Sequence, residues 1–67
     1  MSEPKTWPIE KWKPARRADL DEARDWIRFH QTNIDSWNMH NRGQFSRTYS
    51  EDRLAFWTAV LMTERVP

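Results

Sequence analysis

Between Leu54 and Met62 the chain reads Leu-Ala-Phe-Trp-Thr-Ala-Val-Leu-Met, with Thr58 the one polar residue in the run. On a helix at about 100° per residue, Leu54, Trp57 and Leu61 take one side, Ala55, Ala59 and Met62 another, and Phe56 with Val60 lie between them. A helix apolar on every side must be enclosed by its own chain or shared with a partner. A chain of 67 residues is near the size at which a single core only just outweighs chain entropy, so this run claims cover from every other part of the sequence.

Composition narrows how that cover is supplied. There is no cysteine, which removes disulfides, a thiol nucleophile and the commonest zinc ligand. Five Trp and three Phe are the supplement at hand, since each large aromatic buries roughly 150–250 Å². A net charge of +1 gives the whole molecule no pull on polyanions, so only local segregation of charge could build such a face. No basic segment followed by an apolar run opens the chain, and the Leu54–Met62 run would rise only about 13 Å as a helix against a ~30 Å bilayer core. The expectation is a soluble, cytoplasmic protein with no membrane partner.

Residues 1–17 hold Pro4, Pro8 and Pro14, each of which pushes its predecessor toward extended backbone, so the segment reads as an extended arm. Trp7 and Trp12 flank a stretch in which Pro8 suits the first position of a single helical turn. The two indoles either close the small core or dock on another surface. Lys11, Lys13, Arg16 and Arg17 follow with no acidic residue among them, and Trp12 between two lysines is the interleaving that stacks on bases and neutralises phosphates.

Asp19 and Glu22 have capping-box spacing and predict a helix over 19–41. Leu20, Ala23, Trp26, Ile27, His30, Ile34 and Trp37 fall within an arc of about 120°, opposite Asp21, Arg24, Asp25, Arg28, Asp35 and Ser36. Phe29 and Met39 lie off that arc, which makes Phe29 the first candidate for contact outside the core. His30 lies inside the arc and reads as a core histidine bonded to a neighbour. His40 is ten positions on, about 15 Å along the axis, and no metal-binding spacing joins the two.

From Asn38 to Tyr49 the chain carries Arg42 and Arg47, amide groups at Asn38, Asn41 and Gln44, and rings at Phe45 and Tyr49, without a carboxylate. Gly43, the only glycine, suits the left-handed position after a helix, with Asn38 and Asn41 as earlier stops. Ser50, or Thr48 with Glu51, then caps a second helix over 50–64. The fold class that follows is all-α: an antiparallel two-helix hairpin over 18–67, with Leu20, Ile27, Ile34 and Trp37 facing Leu54, Trp57 and Leu61. The left-over side around Phe56 and Val60 needs the arm, a second copy or a different protein.

Function follows from surplus hydrophobicity. The leading expectation is a small non-enzymatic protein-interaction module, a regulator, inhibitor or accessory subunit, with Trp7, Trp12, Phe29 and Phe56 as aromatic anchors and Arg24 and Arg28 as rim charges. The alternative is binding of single-stranded nucleic acid or RNA through 11–17 and 38–49, using Lys11, Lys13, Arg16, Arg17, Arg42, Phe45 and Arg47. That alternative requires both segments on one face, although they flank opposite ends of a helix about 30 Å long. No pairing of Ser, His, Asp or Tyr has a diagnostic spacing, and so small a domain hardly encloses a substrate pocket. No catalytic residue, metal, cofactor or small-molecule substrate is therefore expected.

Overall fold

The computed structural model describes residues 9–67. A 3₁₀ turn, Ile9–Lys11, leads into strand β1 (Lys13–Pro14), helix α1 (Arg17–His40), helix α2 (Arg47–Thr63) and strand β2 (Arg65–Val66). The helices pack on each other as a hairpin. Trp26 meets Trp57, His30 meets Ser50 and Asn33 meets Phe45, so contacts move down α2 as they move up α1, and the two run antiparallel.

Helix α1 begins two residues before the expected cap. Arg16 is extended (φ −88°, ψ 168°) and its backbone N–H donates to Asp19 Oδ2 at 2.8 Å. Asp19 thus supplies the reaching-back half of a capping box from the third helical position, which works whatever residue stands at the cap. Glu22, its expected partner, instead accepts from Trp26 Nε1 at 3.2 Å. At the other end Asn41 takes the left-handed conformation (φ 57°, ψ 35°) and its N–H reaches Trp37 O at 3.0 Å.

Gly43 does not hold the left-handed position expected of it. Its role is close approach: a Cβ there would lie 2.5 Å from Asn33 Oδ1 and 2.6 Å from Trp37 Nε1. Helix α2 also starts early, because Ser46 is the cap and its hydroxyl accepts from Tyr49 N at 3.1 Å. Ser50, expected at the cap, is fully buried one turn inside the helix. Glu64 ends α2 in a left-handed turn (φ 55°, ψ 40°) that sends the chain back toward β1.

The described part of the arm takes the single turn expected after Pro8, at Ile9–Lys11, and the extended backbone expected at Lys13–Pro14, but that extended part is one strand of a ladder. From Ile9 onward it turns, then pairs Lys13 with Val66 and Pro14 with Arg65 in an antiparallel ladder, extended by Ala15 N to Glu64 O at 2.8 Å. Proline has no N–H to lose in so short an edge ladder. This clip folds Trp12 over the left-over side of α2, where its ring meets Phe56 edge to face at 5.5 Å. Trp12, Ala23, Phe56 and Val60 form the buried core, with Ile9, Leu20, Trp57, Leu61 and Val66 packed round it. Among the described residues no helix is long and apolar enough to cross a membrane.

Candidate protein-interaction surface

The loop between the helices is held by side chains of α1. Asn33, buried, uses its whole amide: Nδ2 donates to Phe45 O at 2.9 Å and to Ser50 Oγ at 2.8 Å, while Oδ1 accepts from Gln44 N at 2.7 Å and Phe45 N at 3.2 Å. Trp37 Nε1 adds a second bond to Phe45 O at 2.7 Å, and Ser36 Oγ donates to Arg42 O at 2.6 Å. Loop backbone that would otherwise be left unpaired is thereby satisfied against the helix.

Behind the loop, His30 Nδ1 lies 2.9 Å from Ser50 Oγ. Asn33 donates to the same oxygen, so Ser50 joins the two α1 side chains at one point. Burial, and then the charge of Arg53, push the His30 pKa below its ordinary value. The Ser50–His30 contact has the length of a nucleophile–base pair, but Ser50 is enclosed and its hydroxyl is committed to the two helices.

These polar anchors fix the backbone of Phe45 and leave its ring pointing outward. Trp26 is 37% exposed, Phe45 41% and Tyr49 39%, a large residual for aromatics in so small a chain. They are contiguous: Phe45 lies 5.3 Å from Tyr49 and 5.7 Å from Phe29, which lies 5.7 Å from Trp26. His30 backs the group, stacked on Trp26 at 5.7 Å and edge-on to Tyr49 at 5.8 Å. Shallow concavities open on this face. One of about 380 Å³ is lined by Asp25, Trp26, Phe29, Gln44 and Phe45; another, about 240 Å³, lies between Glu22, Trp26, His30, Tyr49, Arg53 and Trp57.

Of the anchors expected from sequence, Phe29 sits half-buried in this face. Trp12 and Phe56 do not: both are core, because the clip folds one onto the other, and neither ring is presented outward. Trp7 lies outside the described residues. Arg24 and Arg28 are exposed but line a different concavity, about 390 Å³, with Ile27, Gln31, Thr32 and Leu61. Each is tied to its own helix, Arg24 to Asp21 at 3.2 Å and Arg28 to Asp25 at 3.6 Å.

The residues of the nucleic-acid alternative are divided. Lys11, Lys13, Arg16 and Arg17 are exposed beside β1, whereas Arg42 and Arg47 flank the loop at the far end of α1, a helix of 24 residues spanning about 36 Å. Phe45 belongs to the aromatic face, and Arg47 pairs with Glu51 at 3.2 Å. The fold brings neither set to the other.

Sequence reasoning missed Asn33 and placed Trp26 wholly inside. The signal for Asn33 was present: it projects about 20° from Trp26 on the helical wheel, a polar amide at the edge of the apolar arc, between Trp26 and Phe29. No protein-family model, curated protein or solved structure matches this chain.

Proposed function

We propose that the chain is a small, non-enzymatic protein-interaction module that docks another protein chain on the face formed by Trp26, Phe29, Phe45 and Tyr49. The observation that carries this reading is the contiguous exposure of three large aromatics at 37–41%, backed by a satisfied polar network that fixes them there. Rigid aromatic side chains of this kind, half desolvated and surrounded by polar groups, are where interface energy concentrates. Glu22, Asp25, Gln44 and Arg53 form the polar surround.

The test is site-specific photo-cross-linking in the cell of origin, with a benzophenone amino acid placed at Phe45 or at Met62. Met62 is 81% exposed and projects about 140° from Tyr49 on α2. The proposal expects a discrete protein adduct from position 45 and none from position 62. Adducts from position 62 alone, or adducts to nucleic acid alone from position 45, would refute it.

A further inference from the structure

We infer that the aromatic face is occupied by a second copy of this chain, related by a two-fold axis that lies in the plane of contact and crosses α1 near Phe29. The inference rests on the interaction reading above and names its partner.

Shape gives the first support. The molecule measures 38 × 24 × 14 Å with a radius of gyration of 12.7 Å, against about 11 Å for a compact domain of this length. It is one layer of helices, whereas stable domains close a core between two layers. Two copies face to face make that second layer, a four-helix arrangement. A standard interface takes about 800 Å² from each partner, roughly a sixth of the 5036 Å² this chain exposes.

Charge gives the second. Asp25, Ser36, Phe29, Glu22 and Trp26 share a sector of about 100° on α1. The strip carries two carboxylates at one end, Glu22 beside Arg53 and Asp25 at 3.6 Å from Arg28. At the other end, about 16 Å along the axis from Asp25, Ser36 holds the carbonyl of Arg42 at 2.6 Å, and the chain carries no carboxylate between Asp35 and Glu51. A two-fold axis perpendicular to α1 exchanges these ends, setting Glu22 and Asp25 of each copy against Arg42 of the other, with the two Phe29 rings near the axis. Such a surface is complementary to itself, as an isologous contact requires. The charges are complementary only in this antiparallel arrangement; a parallel one opposes like with like.

Light scattering on the purified full chain over a concentration series tests this. The expected mass is twice 8.2 kDa, falling to 8.2 kDa for Phe29→Asp with helical circular dichroism retained. Asp25→Arg and Arg42→Asp are each expected to weaken the dimer about tenfold at low salt, because each removes two symmetry-related pairs, and the double variant to recover it. A monomer at every concentration overturns the inference, as does a dimer indifferent to Phe29→Asp and to the charge exchanges. A monomer that still yields a protein adduct from position 45 removes the second copy and leaves the interaction reading standing. The absence of any adduct from position 45 removes that reading itself.

Discussion

At the arm end of the hairpin Trp12 and Phe56 meet at 5.5 Å and are both buried; at the loop end Phe45 and Tyr49 meet at 5.3 Å and each keeps about two-fifths of its surface. The ring contacts are alike, and the difference lies in what holds the backbone behind them. The β1–β2 clip closes the chain over its apolar side, so aromatic area there goes into the core. At the loop, Asn33, Ser50 and His30 fill the space between the helices with hydrogen bonds, and the rings are displaced to the surface. One end of the molecule uses aromatics to fold; the other presents them.

Substitutions should separate the two ends. The largest expected loss is at the arm end: Trp12→Ala removes the indole from the core and should cost about 3–5 kcal/mol in urea denaturation, enough to unfold most of a chain this small. Next is Asn33→Ala, which leaves loop amides and the serine hydroxyl short of partners and should cost roughly 2–3 kcal/mol. Its hydrogen-exchange signature sharpens the comparison. Protection should be lost at the Gln44 and Phe45 amides and kept at Ala15, whose bond belongs to the clip. Gly43→Ala should follow at about 1–3 kcal/mol, since the added methyl meets the Asn33 amide and the Trp37 indole, both already bonded to Phe45.

A smaller effect is set by pH. The His30 pKa is lowered in the folded state, so the unfolded chain binds the proton more readily and stability is complete above about pH 6.5. It falls as pH drops from there through the folded value, with a slope that one group limits to about 1.4 kcal/mol per pH unit. Urea midpoints for the parent and for His30→Gln between pH 7.5 and 5 would show this; a loss of equal slope in both would place the titration elsewhere. Arg24→Ala, which removes an exposed pair with Asp21, should change stability by less than about 0.5 kcal/mol.

The helices were legible in the sequence because their apolar periodicity and polar caps are strong local signals. Their starts were misplaced for one reason at both ends. A short polar side chain that can cap a helix can also do other work: Asp19 reaches back from the third position, and Ser50 serves the interior while Ser46 caps. The extended backbone around Pro14 was legible, but its pairing with Arg65 and Val66 left no trace, since two residues per strand have no periodicity. Phe29 was recognisable by falling off the apolar arc. Trp26, Phe45 and Tyr49 were not assigned as one face, because their exposure depends on Asn33 filling the space behind the loop, a contact across 12 positions of sequence.

The division of labour between the two ends is tested most directly by the unfolding free energy of Phe45→Ser with Tyr49→Ser, measured beside Trp12→Ala. The exposed pair should cost no more than about 1–2 kcal/mol in the double variant, well short of the single tryptophan. A loss equal to that of Trp12→Ala would mean that the loop-end rings hold the fold together, and would contradict their assignment to a partner.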